Sequence, residues 1–407
     1  MPQAPTVGSF QLMKSLNRSL VLNTIREEGP ISRADVAKTT KLTPPTVSNI
    51  VKELIESGII IEKNQGVSRG GRKPTMLVIN ARNFYVIGLD VGPKDIKVIL
   101  TDLNANIVEQ FQKNIPKDIS SEGLLALMKE SIRPLLETSH VDQHKFLGIG
   151  VGMHGMVDVE KGVSLFAPNL QLRDIPIKES LEEEFKMIVK VENDARAMAL
   201  GEAWFGNGNG AESAVCVNVG RGIGAGIIIN GKLFHGEHFI GGEIGHMTID
   251  IDGPKCSCGN YGCLQALAAG PVITDRAAKE IATGRESLLE QLAEGDLQSI
   301  TGEMVHRAAE KGDPLSVEIL DEIGRYLGIG LTNLIHTVNP DRIVIGGGVA
   351  KSGDYILDSI KKTIAQRALT DKAKRTGVHL SKLGEHATAI GAISLLLVEL
   401  FSTRTAE

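Results

Sequence analysis

The chain has 407 residues, which is too long for one ordinary domain and predicts two or three compact units. Hydrophobic residues make up 42% and charged residues 23% of the total, which excludes an intrinsically disordered chain. We find no run of about 18 apolar residues and no secretory leader, so we expect no membrane span and a cytoplasmic location.

The charge is distributed unevenly along the chain. The net charge of −5 by itself argues against binding to nucleic acid. Residues 1–80, however, carry a net charge of +5 and the remainder −10. A basic segment in front of an acidic body is the asymmetry expected when only that segment meets DNA.

Three short helices are predicted in the first eighty residues. An amphipathic helix ends near Gly29-Pro30, Ser32 has the position of an N-cap before a second helix at Arg33–Thr40, and Thr43 caps a third. The third helix has one apolar face and presents small polar side chains near its N-terminal end, as a recognition helix does. The side chains of these helices predicted to contact DNA are Arg33, Pro45, Thr46, Ser48, Asn49 and Lys52.

Two short strands around a basic, glycine-rich loop follow the third helix, at residues 59–63 and 75–79. The loop cations Arg69, Arg72 and Lys73 are predicted to contact phosphate or to lie in a minor groove. Helices and hairpin together predict a winged helix-turn-helix over residues 1–80. The alternative is a protein-interaction module, since short amphipathic helices and charged loops are common.

From Tyr85 onwards, strands alternate with helices and end in glycines or acids, which predicts an α/β fold. A second unit opens near Ser213 in the same way as the first, with a strand, a glycine-rich turn and a second strand. We therefore predict two lobes, residues 81–210 and residues 211–407, with ligand sites at strand ends and between the lobes.

The motif with the highest specificity is a cluster of three cysteines within eight residues, preceded by a histidine. His246, Cys256, Cys258 and Cys263 provide the four ligands of a closed tetrahedral zinc site. Because a closed site leaves no position for a substrate, the predicted Zn²⁺ is structural. The alternative is a set of ordinary buried or redox cysteines, and Cys216, inside a strand, is predicted to be plain core.

Five stretches of residues 85–395 resemble the ROK family of bacterial repressors, open reading frames and sugar kinases. They are Gly88–Gly92, Val191–Ala195, Gly220–Gly226, Gly242–His246 with the cysteine cluster, and Asn339–Gly348. The head with residues 70–74 resembles the repressor branch, and residues 247–259 look most like its xylose repressors. The resemblance implies a two-lobed, actin-like and ribonuclease-H-like sugar-kinase fold behind the winged head.

The resemblance also implies a sugar site. Family kinases bind the sugar through an Asn-Asp pair, matched here by Asn193 and Asp194, and the Asp acts as general base. The family's Glu-x-Gly-His motif matches Glu243 and His246, and Asn169 matches a further sugar-side position. The implied effector is a small sugar: xylose is preferred, and glucose and N-acetylglucosamine are the rivals.

The phosphate side departs from the family's kinases, which carry Asp-x-Gly-Gly-Thr where this chain reads Asp90-Val-Gly-Pro-Lys94. Pro93 removes a backbone donor where phosphate would be held. Arg221 replaces a threonine of the second loop, and Gln265 stands in place of a sugar-binding Glu. We therefore predict a non-catalytic sugar-kinase homologue. The alternative is an ATP-dependent, glucokinase-like kinase, in which Asp194 would be catalytic.

These patterns together predict a sugar-responsive repressor of carbohydrate-utilisation genes. Its partners are expected to be a pseudo-palindromic operator DNA, the small sugar and further copies of the same chain, in a dimer or tetramer. The sugar must bind one of two arrangements of the protein more tightly, because equal affinity for both would not change their populations.

Overall fold

The computed structural model describes residues 16–63, 75–139 and 141–401. The chain divides into two compact units, which are Met1–Glu192 with Ala392–Glu407, and Asn193–Gly391. Each unit has its own core, built around one five-stranded sheet.

The first unit opens with the predicted head of three helices and a small antiparallel sheet. Its helices are α1 (Leu16–Glu28), α2 (Arg33–Thr40) and α3 (Pro44–Glu56). Its strands are β1 (Ile31–Ser32), β2 (Ile60–Lys63) and β3 (Met76–Ile79), with β3 in the middle. The strands at residues 60–63 and 76–79 confirm the hairpin expected after the third helix.

Side-chain caps start the second and third helices of the head, as the sequence predicts. The Ser32 hydroxyl accepts the backbone N–H of Asp35 at 3.2 Å, and the Thr43 hydroxyl accepts that of Thr46 at 3.4 Å. Between the helices Lys41 has φ 57°, a left-handed conformation that ends α2 and turns the chain into α3. The turn of the helix-turn-helix therefore follows from local sequence.

The remainder of the first unit is an α/β lobe. Its elements are β4 (Tyr85–Val91), β5 (Asp95–Asp102), β6 (Ile107–Asn114), α4 (Ser121–Thr138), β7 (Phe146–Met153), β8 (Met156–Asp158), β9 (Val163–Ala167), β10 (Leu172–Ile175), α5 (Ile177–Phe185) and β11 (Val189–Asn193). The main sheet has the order β11-β7-β4-β5-β6, and β8 to β10 form a smaller one. All eight residues of β7 are buried, as in a strand covered on both faces.

The second unit repeats this strand order. Its elements are α6 (Asp194–Phe205), β12 (Ala214–Val219), β13 (Ile223–Ile229), β14 (Lys232–Phe234), α7 (Leu264–Ala268), α8 (Gly270–Ala282), α9 (Leu288–Leu292), α10 (Gly302–Glu310), α11 (Pro314–Val338), β15 (Arg342–Gly346), α12 (Asp354–Arg367), β16 (Gly377–Leu380) and the start of α13 (Ala387–Phe401). The sheet order is β14-β13-β12-β15-β16, with β12 antiparallel to β13 and parallel to β15. The duplicated order confirms the predicted ribonuclease-H-like fold.

The compact units do not end at the predicted lobe boundaries. Helix α6 packs on β12 and β13 and so belongs to the second unit, although the sequence analysis places it within residues 81–210. Gly226 allows this close packing, since a side chain there would lie 2.3 Å from Cβ of Ala199. From Ala392 onwards α13 belongs to the first unit, where the Ala392 carbonyl lies against Gly150. That residues 1–80 form a domain of their own stays a prediction.

One segment of the described chain, Gly384–Phe401, is long and apolar enough to cross a membrane by length and composition. The sequence analysis did not single out this segment. It is 67% buried inside the protein, and core helices of soluble proteins have the same composition. Burial of this extent indicates a core helix.

Asp313 connects the starts of two helices in the second unit. Its carboxylate accepts the N–H and hydroxyl of Ser316 in α11, the hydroxyl of Ser287 and the N–H of Leu288 at the start of α9. Burial raises the pKa of Asp313, but these hydrogen bonds outweigh burial and hold the pKa below its ordinary value. The charged carboxylate therefore stabilises the folded state.

We expect Asp313→Ala to lower the free energy of unfolding of the second unit by about 2 kcal/mol, because capping and tethering are lost together. Since the folded pKa is the lower one, this contribution is present above the unfolded pKa of about 3.9 and disappears as the pH falls through the folded value. Thermal unfolding at pH 7 measures the effect. Asp354→Ala, which removes an exposed acid from the first turn of α12, is the control. Equal melting temperatures for the two variants would contradict this role.

Candidate functional site

The exposed face of α3 carries most of the side chains predicted to meet DNA. Val47, Val51 and Leu54 are buried in the head. The opposite face leaves four of the predicted side chains exposed: Pro45, Ser48, Asn49 and Lys52. This face has the polar, hydrogen-bonding character that a recognition helix requires.

Other predicted DNA contacts have partners within the head. Arg33 forms an ion pair with Glu62 of β2, and the Thr46 hydroxyl lies 2.8 Å from the Thr43 hydroxyl. Both side chains thus support the fold of the head in this structure. Arg69, Arg72 and Lys73 lie outside the described residues.

The N-terminal end of α6 holds the predicted Asn-Asp pair. Asn193 caps the helix, since its side-chain oxygen accepts the N–H of Arg196 at 3.1 Å, and its Nδ2 donates to Asp194 Oδ1 at 2.9 Å. Asn218 of β12 donates to the other oxygen, Oδ2, at 3.3 Å. Two amides and the helix N-terminus therefore orient one carboxylate.

Glu243 lies close enough to this pair to interact with it electrostatically. Burial raises the pKa of Glu243, while His246 and Arg196 lower it and Asp194 raises it further. The Glu243 carbonyl also accepts the N–H of His246 at 3.1 Å. Two carboxylates and amides of this kind can bind several hydroxyl groups, which suits a sugar.

The fifth predicted sugar residue, Asn169, lies in the first unit and is exposed after β9. Its loop packs closely on the turn after β7, because a side chain at Gly155 (φ 90°) would lie 2.2 Å from the Phe166 carbonyl and 2.7 Å from Pro168. The other four predicted sugar residues all belong to the second unit.

The predicted metal ligands come together in the second unit. One ligand atom from each of His246, Cys256, Cys258 and Cys263 lies within 4.8 Å of all the others. Cys258 and Cys263 have their sulfurs 3.8 Å apart, and Cys256 Sγ lies 3.7 Å from His246 Nδ1. Sulfurs bound at 2.3 Å to a tetrahedral zinc would be about 3.8 Å apart, so the donor set fits this ion.

The backbone around the cluster is folded tightly. Thr248 and Cys263 form a β-bridge, as do Lys255 and Tyr261. Gly262, with φ 64°, passes so close to the Asp250 carbonyl that a side chain would clash at 1.4 Å. Burial raises the pKa of the Cys263 thiol to about 12, whereas the N–H of Asn260 lowers that of the exposed Cys258.

Gln265 and the first glycine loop have local structural partners. Gln265 Oε1 accepts the N–H of Ile223 at 3.1 Å, so this amide braces the second glycine loop. In the first loop the N–H of Gly92 donates to the Asp95 carbonyl at 3.0 Å, which closes a tight hairpin containing Pro93. The Gly92 N–H is thereby used within the turn.

Two residues of this site, Arg196 and Asn218, are not among those predicted from the sequence. Arg196 is buried within α6, where its Nη1 donates to the Phe239 carbonyl at 2.8 Å. A signal for Asn218 was available, because it is an amide in the otherwise apolar strand β12 just before a glycine loop. Arg196 gave no such signal, since an arginine in a first helical turn is usually exposed.

Comparison with known proteins finds two family models that match different parts of the chain. The model of the ROK family matches residues 86–399, and a model described as winged helix-turn-helix DNA-binding matches residues 16–61. The two matches correspond to the α/β lobes and to the head.

Two relatives match over nearly the whole chain. A putative xylose repressor of Caldicellulosiruptor sp. (strain Rt8B.4) is 33% identical over 396 residues, which are 97% of this chain and 99% of that protein. The N-acetylglucosamine repressor of Escherichia coli O6:H1 (strain CFT073) is 34% identical over 392 residues, 96% and 94% of the two chains. Both names are those of repressors, which supports the expectation of a sugar-kinase homologue without kinase activity.

A solved structure has the same fold. It is a ROK family transcriptional regulator described as a homologue of the E. coli MLC protein, with a TM-score of 0.84 and 29% identity, covering 96% of this chain and 97% of that one. Head and lobes are thus matched in one architecture. The chain belongs to the ROK family and carries a winged helix-turn-helix at its N-terminal end.

Proposed function

We propose that this protein is a cytoplasmic transcriptional repressor whose affinity for operator DNA is controlled by a small sugar. One observation supports the proposal: two features occur in the same chain. The first is an exposed polar helix face at Ser48 and Asn49. The second is a group of side chains suited to binding hydroxyls, at Asn193, Asp194 and Glu243. A kinase has no need of the head, whereas a repressor needs both parts.

Xylose is the sugar that we propose to test first. One relative is named a putative xylose repressor, and residues 247–259 resemble xylose repressors. Another relative at similar identity is named for N-acetylglucosamine, so this sugar and glucose are the rivals. We place the sugar at Asn193, Asp194, Glu243 and His246 of the second unit, and a role for Asn169 stays a prediction from the sequence.

We also propose that His246, Cys256, Cys258 and Cys263 hold one structural zinc ion. The distances between the sulfur and nitrogen atoms support it, since they match a tetrahedral ion. When bound, zinc cross-links the loop of residues 246–263 and supplies no open coordination position. His246 would then be fixed in orientation beside Glu243, from which the sugar site gains rigidity.

The head has a physical connection to the lobe of the first unit. Asn23 of α1 donates from Nδ2 to the carbonyl of Phe401, the last described residue of α13, and the Arg26 guanidinium lies 5.4 Å from the centre of the Phe401 ring. We propose that this contact couples the position of α1 to that of α13. The repressor would act as a homo-oligomer, a dimer or tetramer, on a pseudo-palindromic operator.

Asn49→Ala is expected to weaken operator binding about tenfold or more, because a bidentate contact of asparagine to adenine contributes about 1–3 kcal/mol. Sugar binding should stay unchanged, since Asn49 belongs to the head. Fluorescence anisotropy with labelled operator measures the first quantity, and calorimetry with sugar measures the second. Lys38→Ala, another exposed head residue outside α3, is the matched control. Unchanged DNA affinity in Asn49→Ala would show that α3 is not the recognition helix.

A further inference from the structure

Arg196 is an arginine with a buried side chain, only 1% exposed, in the first turn of α6. Burying a guanidinium has an effective cost of several kcal/mol unless hydrogen bonds and opposite charges compensate for it. The residue follows the Asn193-Asp194 pair by two positions, and its own N–H binds the Asn193 cap. Its backbone is therefore part of the proposed sugar site, while its side chain contacts a different segment of the chain.

The side chain reaches the loop of residues 235–242, which connects β14 to Glu243. Arg196 Nη1 donates to the Phe239 carbonyl at 2.8 Å and lies 3.4 Å from the Gly241 carbonyl. Carbonyl oxygens are the usual partners of a guanidinium that binds main chain, and here two of them lie two residues apart. The arginine thus clamps the middle of the loop onto α6.

The loop needs such a clamp because its backbone is strained and rich in glycine. Phe239 has φ 56°, in the left-handed region, at a cost of roughly 1–2 kcal/mol for a residue with a side chain. Gly236 and Gly242 also have positive φ values, of 71° and 95°. Beyond the clamp, the Gly242 carbonyl accepts the N–H of Ala225 in β13 at 2.8 Å.

We propose that Arg196 is a positioning residue of the sugar site, which holds the loop of residues 235–242 so that Glu243 presents its carboxylate to the sugar hydroxyls. The inference rests on the proposed function. It assigns to Arg196 no contact with the sugar, because Nη1 of the side chain donates to carbonyls of the loop. Its effect on affinity therefore passes through Glu243.

The test is a double-mutant cycle on the full-length protein, with the dissociation constant for the sugar measured by calorimetry. Arg196→Met should weaken binding at least tenfold and Glu243→Gln by a similar factor. In the Glu243→Gln background, Arg196→Met should add less than a threefold loss, because the group that Arg196 positions is already gone. Arg325→Met removes an exposed arginine of the same unit and should change nothing.

A general loss of stability would not reproduce this pattern, since it would weaken both backgrounds alike. Melting temperature and zinc content identify a misfolded variant. If Arg196→Met misfolds, Arg196→Lys takes its place: it keeps the charge and one donor nitrogen and should show an intermediate loss of sugar affinity. Full additivity of the two substitutions, or an unchanged dissociation constant in Arg196→Met and Arg196→Lys, would overturn this inference and leave the proposed function unaffected. A wild-type protein that binds none of xylose, glucose and N-acetylglucosamine would refute the proposed function, and the inference with it.

Discussion

Asp194→Asn is expected to bind the sugar roughly 10 to 100 times more weakly than the wild type while it holds operator DNA with unchanged affinity. The carboxylate of Asp194 is oriented by Asn193 and Asn218, and a hydrogen bond to a charged group contributes about 1.5–3 kcal/mol. The substitution keeps the shape of the side chain and removes its charge. The variant should therefore keep its DNA affinity at sugar concentrations that change the affinity of the wild type.

Operator anisotropy titrated with sugar measures this shift, and Asp275→Asn, an exposed acid of α8, is the control. The same proteins in a coupled ADP-release assay separate the repressor from a kinase. Sugar-dependent ADP release by the wild type that disappears in Asp194→Asn would mean that Asp194 is a catalytic base, and the non-catalytic interpretation would fail.

Cys258→Ser is expected to lose its zinc on dialysis and to lose most of its response to sugar, while the head still binds operator. Cys258 is exposed, so the substitution leaves no core cavity and its expected effect comes from the proposed metal. A serine hydroxyl is a poor replacement for a thiolate on zinc, and metal binding stabilises the folded loop directly. Metal analysis and sugar calorimetry provide the two measurements.

Lys255→Ala changes an exposed neighbour in the same loop and should retain about one zinc per chain. Absence of zinc from the wild-type protein would end the metal proposal. If a zinc-free Cys258→Ser protein kept a normal sugar response, the sugar site would not depend on the metal.

The head could be predicted closely because its signals are local. Ser32 and Thr43 start helices through hydrogen bonds to residues three positions away, and Pro44 occupies a first helical position, so spacing alone carries the information. The strand order of the lobes is not local, and it followed from resemblance to a family rather than from periodicity. The ion pair of Arg33 could not be predicted from local sequence, because its partner Glu62 lies on a strand distant in sequence.

The candidate site likewise has one part that local sequence predicts and another part that depends on distant contacts. The predicted metal ligands have a spacing typical of such a site, and the structure brings all four together. Asn218 and Arg196 depend on contacts between α6, β12 and the loop of residues 235–242, which are 24 to 45 positions apart in sequence. The boundary of the second unit at Asn193 likewise follows from the packing of α6 on β13, which no composition shift marks.

The most direct test of the central claim is anisotropy of labelled DNA from upstream of this protein's own gene, with competitor DNA at moderate salt. Protein is added first, followed by xylose, glucose and N-acetylglucosamine in separate titrations. We expect specific binding that one of these sugars, with xylose as our first choice, changes at least tenfold in the wild type but much less in Asp194→Asn. Specific DNA binding that no sugar alters, together with sugar-dependent ADP release, would contradict it.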